Sequence, residues 1–261
     1  MPKLVGIIGD VHAGSKTAAS KRMVLDDGDE HVPSLHQEWL LDNFNTLVEQ
    51  MKREALGHDF VLLLGGDLVD GTQHHGSTQT FGTPQDQINL AVDLLMPLMN
   101  IASKAYALRG TDAHVGQSGD LDRAVASKLG IPASNIDFRH LLDFDGALLD
   151  WAHHVGAGRR PGTRGNSLKA LMSDIYFTCL ETKQRVPDLI VRHHVHQYDD
   201  VSDHRRGMRA ITCPAWQLHT THTRRLSPHG IPSTGGVMWW PDRMKVQAVE
   251  FAPILDEVKY V

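Results

Sequence analysis

Asp10 and His12 stand two residues apart, and together they offer one cation a hard carboxylate oxygen and a borderline imidazole nitrogen. Asp67 comes just beyond the apolar run at 60–64, where a buried carboxylate needs a partner and a metal ion is the usual one. Three further clusters carry metal-capable groups: Gly110-Thr111-Asp112-Ala113-His114, Trp151-Ala152-His153-His154 and Arg192-His193-His194-Val195-His196. Taken singly, any one of these histidines reads better as a surface or satisfied core residue. Five clusters that each close an apolar run read as a ligand set. Such a set exceeds what one four-coordinate structural zinc takes and fits a two-metal site. That kind of site clamps the attacking and leaving oxygens of an in-line displacement and generates hydroxide near neutral pH, the chemistry of phosphate-ester hydrolysis.

The elements that must position these groups are visible as short apolar runs: KLVGIIG (3–9), FVLLLGG (60–66), AYALRG (105–110), ALLDWA (147–152) and DLIVR (188–192). Their length and continuous apolarity predict strands buried on both faces. Between them, Leu35, Trp39, Leu40, Phe44, Leu47, Val48 and Met51 form one helical stripe over 35–56, with Gly57 as its stop. Residues 85–103 repeat the pattern with Ile88, Val92, Leu95 and Met99, although Pro97 should kink or shorten that helix. Further helices are expected at 119–129 and 167–182. Strand alternating with helix predicts an α/β architecture with ligands at the carboxyl ends of the strands. From about residue 200, MRAITCPAW, GGVMWW and MKVQAVEF predict an antiparallel addition, in which Trp239 and Trp240 point one inward and one outward. With no repeat or linker in view, residues 1–261 read as one domain with a β-rich C-terminal part. The polar stretches 13–34, 72–87 and 217–236 read as functional or surface loops.

Composition bounds the answer further. Hydrophobic residues at 41% and charged residues at 22% exclude a disordered or collagen-like chain. No apolar run reaches the roughly 18 residues of a membrane span, and the start lacks the layout of a secretory signal. Two cysteines, Cys179 and Cys213, are too few for a disulfide framework, so a soluble cytoplasmic protein is expected. Cys213 is expected in a buried β-segment and Cys179 on an apolar helix face. Histidine is overrepresented: 17 residues against 16 of Phe, Tyr and Trp combined. The net charge of −5 hides a split, because residues 1–150 carry 11 Lys/Arg against 21 Asp/Glu while residues 151–261 carry 15 against 10. An acidic half beside a basic half suits cations held next to an anionic substrate, although scattered solvated charge would give the same counts.

The motif series Asp10-Val11-His12, Gly66-Asp67-Leu68-Val69-Asp70-Gly71, Gly110-Thr111-Asp112-Ala113-His114, His153-His154 and His194-Val195-His196 resembles that of the calcineurin-like metallophosphoesterases. It spans residues 10–196, and its first, second and last members are specific. The resemblance implies a four-layer α-β-β-α sandwich with a dinuclear metal site at the carboxyl ends of the strands. It implies that Asp10, His12 and His196 hold one ion, that Asp67 bridges, and that His194 with His153 or His154 holds the second. His153, the first polar group after its strand, is the preferred ligand, which leaves His154 beside it or facing substrate. It also implies direct attack on phosphorus by a metal-bridging hydroxide, with a histidine protonating the leaving group. Asp70 is not a ligand in this reading and would orient its loop through backbone hydrogen bonds. Asp150 and Asp199 are candidate acceptors for the ligand imidazoles.

The third motif departs from the family's Gly-Asn-His-Asp/Glu. Thr111 replaces the Asn ligand and Asp112 the acidic His. Either Thr111, a poorer neutral ligand than an amide oxygen, leaves the second ion with less affinity, or Asp112 swings in as an anionic ligand while His114 serves as acid; the second arrangement is preferred because it preserves both functions. Two divalent ions are implied. Mixed Asp/His ligation suits Mn, Fe, Zn or Ni, with Mn2+ the first choice for activity.

Arg159, Arg160 and Arg164 follow the His153 strand in a Gly/Pro-rich loop, and Arg205 follows the His196 strand. Arginines around such a site suit a nucleic acid or nucleotide, so a phosphodiesterase or nuclease is the first reading. No nucleic-acid module is recognisable, and the pI near 6.4 opposes nonspecific duplex binding. The alternatives are a phosphomonoesterase for protein or small metabolites, and an impaired metal-binding scaffold. His74-His75 and His219-x-x-His222 have weak metal spacing and read as surface or rim groups. The oligomeric state is left open.

Overall fold

The computed structural model describes residues 1–72, 79–116, 118–156, 163, 165–226 and 232–253. In chain order the first half forms β1 (Lys3–Ile8), β2 (Met23–Val24), β3 (Glu30–His31), α1 (Leu35–Ala55), β4 (Asp59–Leu64), α2 (Pro84–Met99), β5 (Lys104–Leu108), α3 (Asp112–Val115) and α4 (Asp120–Lys128). There follow β6 (Ile136–Asp137), β7 (Arg139–Phe144), β8 (Ala147–Ala152), α5 (Asn166–Thr182), β9 (Leu189–Arg192), β10 (Asp199–Asp203), β11 (Met208–Thr212), α6 (Thr221–Leu226), β12 (Thr234–Trp240) and β13 (Lys245–Phe251).

Two sheets dominate this mixed α/β fold. One has six strands in the order β13-β12-β1-β4-β5-β6, the other five in the order β10-β11-β9-β8-β7. Within the first, β1, β4, β5 and β6 run parallel, and β12 and β13 add antiparallel at its edge. In the second, β8, β9 and β11 run parallel. The expected antiparallel C-terminal addition is therefore correct for β12 and β13 and needs correction for β11, whose register sets Arg209 against Leu189 and Thr212 against Arg192.

Period-two alternation distributes each strand between two cores. Val5, Ile7, Val61, Leu63, Val237 and Trp239 of the six-stranded sheet join Leu149, Trp151, Leu189, Val191 and Ile211 of the five-stranded sheet in one cluster. The alternate residues Leu4, Ile8, Leu62, Met238 and Trp240 pack on the apolar stripes of α1, α2 and α4. Ile190, Met208 and Ala210 pack on Leu168 and Met172 of α5. Trp239 and Trp240 do face opposite ways, but neither reaches solvent, because helices cover the outer face of β12.

Helices α1 and α2 start where their sequences provide caps. Ser34 accepts from the Gln37 amide and Gln37 reaches back to Ser34, while Thr83 and Asp86 form the same reciprocal pair ahead of Pro84. Pro97 falls in the last turn of α2, which ends at Met99, short of the expected 103. Among the described residues, no helix is long and apolar enough to cross a membrane.

Phe44 of α1 is fully buried and meets Trp216 edge-on at 4.8 Å between ring centroids. Phe44→Ala should lower unfolding free energy by about 3–5 kcal/mol, measured by urea denaturation.

Candidate metal centre

The parallel strands deliver their carboxyl ends to one edge, where the chain turns sharply. Asp10, His12, Asp67, His194 and His196 all have positive φ, between 47° and 74°, and are five of the eight non-glycine residues with positive φ among those described. Backbone bonds lock these turns together: Asp10 N donates to Gly66 O at 2.9 Å, and His12 N donates to Asp67 O at 2.9 Å.

Among the described residues, potential ligand atoms gather in four overlapping groups, each within 4.8 Å: Asp10, His12 and His196; Asp10, Asp67 and His153; His12, Asp67 and His114; and His153, His154 and His194. His12 Nε2 and His196 Nε2 stand 3.1 Å apart, and Asp10 Oδ1 lies 3.5 Å from His196 Nε2 and 3.9 Å from both His12 Nε2 and His153 Nε2. That carboxylate oxygen is buried yet accepts no hydrogen bond. A buried anionic oxygen facing several imidazole nitrogens, none of them donating to it, is a donor set that fits a cation. Asp67 belongs to two of the groups, with Oδ2 3.1 Å from His153 Nε2.

Thr111 is at the centre of the other end. Its Oγ1 donates to Asp67 Oδ2 at 3.0 Å and lies 3.3 Å from His153 Nε2, 3.4 Å from His154 Nε2 and 3.2 Å from His194 Nδ1. A hydroxyl has one proton to give, so these four contacts cannot all be satisfied by hydrogen bonds from Thr111. Asp112 is a correction to expectation: it is exposed and joins none of the ligand groups. Thr111 stands just ahead of α3, and the helical advance turns Asp112 away from the face that Thr111 and His114 share.

Two carboxylates hold the rest. Asp70 Oδ1 is 3.1 Å from His12 Nδ1 and 3.3 Å from His114 Nδ1, and it accepts from Gln217 Nε2 at 3.0 Å. It therefore orients rings rather than its own loop, correcting the backbone-capping role expected for it. The expected imidazole acceptor Asp150 is likewise corrected, because its carboxylate is taken by Arg139 and Arg192. His153 Nδ1 instead donates to Gly65 O at 2.7 Å.

Asp122 was not singled out from the sequence. It is fully buried and accepts from Asp67 N at 3.0 Å, Leu68 N at 2.9 Å and Gly110 N at 2.8 Å, tying the β4 and β5 turns together. The signal was available, since Asp122 lies three and four residues before the buried Val125 and Ala126 on one face of α4.

The electrostatics follow from burial and pairing. Burial pushes the Asp67 carboxyl up, but the His153 imidazole outweighs it and holds the group well below its usual range. Burial lowers His153, while Asp67 raises it to about 10 overall. For His114, burial is outweighed by the hydrogen bond to Asp70, giving about 9. Burial and then the neighbouring His153 lower His194 to about 4. Asp122 is pushed up to about 7 by burial and by Asp67.

Residues 3–211 match the family model described as calcineurin-like phosphoesterase. The chain belongs to that family. This phosphoesterase is thus a metal-dependent hydrolase of phosphate esters, and its family uses a dinuclear divalent metal site. Among solved structures it is similar to zinc-bound Vps29 from Entamoeba histolytica, with 14% identity over 95% of this chain and 98% of that one and a TM-score of 0.43. A metallophosphoesterase from Sphaerobacter thermophilus gives 14% identity over 96% and 88%, with a TM-score of 0.42. A predicted phosphoesterase from Streptococcus pneumoniae gives 9% over 97% and 99%, with a TM-score of 0.36. A comparison with curated proteins gives no match.

Arg159, Arg160 and Arg164 lie outside the described residues, as do His74 and His75. Arg205 is a correction: it is exposed in the turn between β10 and β11, and Arg209 at the start of β11 pairs with Leu189, four residues before His193. At about 3.3 Å per residue that turn lies on the order of 13 Å or more from the His193–His196 end of the sheet. His219 joins none of the ligand groups.

Removing the Asp122 carboxylate leaves three backbone N–H groups without their acceptor. Asp122→Ala should cost at least about 2 kcal/mol in urea denaturation, and Asp122→Asn less, since its amide oxygen still accepts.

Proposed function

We propose that this phosphoesterase cleaves phosphodiesters, in nucleic acid or nucleotides, at a centre for two divalent ions. The convergence of Asp10, His12, Asp67, His153, His154, His194 and His196 at one edge carries the reading. When bound, such ions neutralise phosphoryl oxygens and acidify a water molecule.

Asp10, His12 and His196 would hold one ion and His153, His154 and His194 the other, with Asp67 shared. In this arrangement His154 supplies the ligand that the family's Asn would give, and Thr111 anchors Asp67 through its amide at 2.6 Å and its hydroxyl at 3.0 Å. His114 would carry the proton for the leaving group on Nε2, because Nδ1 is turned to Asp70 O at 2.9 Å. Manganese is the proposed activating ion, with iron, zinc and nickel as the other candidates for a mixed Asp/His set.

The diester preference is supported by the basic balance of residues 151–261 and by the three arginines that follow His154 in sequence. The three cores support a four-layer α-β-β-α order, and one domain over 1–261 is proposed with it. The cytoplasm is the proposed compartment, supported by two buried, unpaired cysteines.

With Mn2+, turnover of bis(p-nitrophenyl) phosphate should exceed that of p-nitrophenyl phosphate. The reverse order would replace the diesterase with a monoesterase, and turnover of neither with Mn2+, Fe2+, Zn2+ or Ni2+ would support a scaffold. His154→Ala should reduce bound manganese toward one equivalent by elemental analysis, with turnover down by about tenfold or more. Asp112→Ala should leave manganese content unchanged.

A further inference from the structure

His193 lies among the proposed ligands without belonging to any ligand group. The ring is fully buried, in a slot that exists because two neighbours have no side chain: a methyl group at Gly9 or Gly65 would overlap it. Its backbone N–H bonds to His153 O at 2.8 Å, which ties it to the end of β8, while the slot at Gly9 and Gly65 sets the ring against the ends of β1 and β4. Trp151 Nε1 donates to His193 Nε2 at 3.0 Å. An indole N–H can only donate, so Nε2 is the lone-pair nitrogen and the proton of the neutral ring sits on Nδ1.

That Nδ1 has no hydrogen-bond partner and stands 3.7 Å from Asp10 Oδ2. The same Oδ2 accepts the His194 amide at 3.2 Å, whereas Oδ1 is the oxygen that faces His12, His153 and His196. One oxygen of Asp10 is thus turned to protein donors and the other to the ligand cluster.

We propose that His193 is a positioning residue, held by Trp151 as the Nδ1–H tautomer, which ties Asp10 Oδ2 to the protein and presents Oδ1 alone to the cation. The proposal rests on Asp10 being a ligand, as in the proposed function. A hydrogen-bond donor behind a ligating carboxylate fixes which oxygen binds and in what direction. Trp151 therefore acts on the ion through two intervening groups, His193 and Asp10.

The test separates donation from packing. In His193→Asn the amide nitrogen takes the place of Nδ1, whereas His193→Leu fills the slot without a donor. If His193 positions Asp10, kcat for the diester should fall by about 10- to 100-fold in the Leu variant, with KM within about twofold, and by less than about threefold in the Asn variant. Manganese content should drop in the Leu variant and hold in the Asn variant. Long-range 1H–15N spectra of the metal-free protein should show His193 protonated on Nδ1, and Trp151→Phe should yield a mixture of tautomers. Equal losses in the Asn and Leu variants, tracking their loss of thermal stability, would overturn the proposal, as would an Nε2-protonated ring. Should the unmutated protein bind no manganese and turn over no diester, it is the proposed function that falls, and the tautomer measurement still decides the Trp151–His193 link.

Discussion

The centre depends on the backbone turning left-handed at the ends of buried strands. For a residue with a Cβ this conformation costs on the order of 1 kcal/mol or more, and it occurs here at Asp10, His12, Asp67, His194 and His196. The cost is recovered locally, because the turned segments bond to one another across the two motifs nearest the sheet centre. Asp10 and His12 donate to Gly66 and Asp67, and Asp122 collects the amides that point the other way. Straightening the Asp10–His12 turn or the Asp67 turn would therefore break bonds in the other.

A second constraint is charge. Asp10, Asp67, Asp70 and Asp122 are all buried in one region, an arrangement that repels itself without compensation. Compensation takes two forms. Asp70 spends Oδ1 on two imidazole rings and the Gln217 amide, and Asp122 spends both oxygens on backbone amides, while Asp10 and Asp67 are surrounded by imidazoles. The first pair holds the shape, and the second pair leaves negative charge facing the histidine cluster. This division explains why the acidic residues of the first half are more informative singly than as a net charge.

Much of this was legible from the residue order. Apolar runs ending in Asp or His located β1, β4, β5, β8 and β9, because a strand buried on both faces must be continuously apolar and its first polar residue marks where it leaves the core. The same logic could not find β7 or β10, whose alternating or polar sequences belong to sheet edges. Nor could it rank Thr111 against Asp112, since one helical step decides which of two neighbours faces inward. Asp122 and His193 were missed for a different reason: each acts on groups distant in sequence, through backbone amides in one case and a carboxylate in the other. Arg205 misled because following a strand in sequence was read as lying at its carboxyl end, whereas β10 had already carried the chain back to the other end of the sheet.

The slot around His193 has an evolutionary side. Glycine at 9 and 65 is required by the ring between them, and the ring in turn fills space that only those glycines leave open. Neither glycine can drift alone: a side chain gained at either must be met by a smaller residue at 193. The three sites form an interlocked unit of inheritance, so related chains should divide into those that keep the whole wedge and those that have lost it in one correlated exchange.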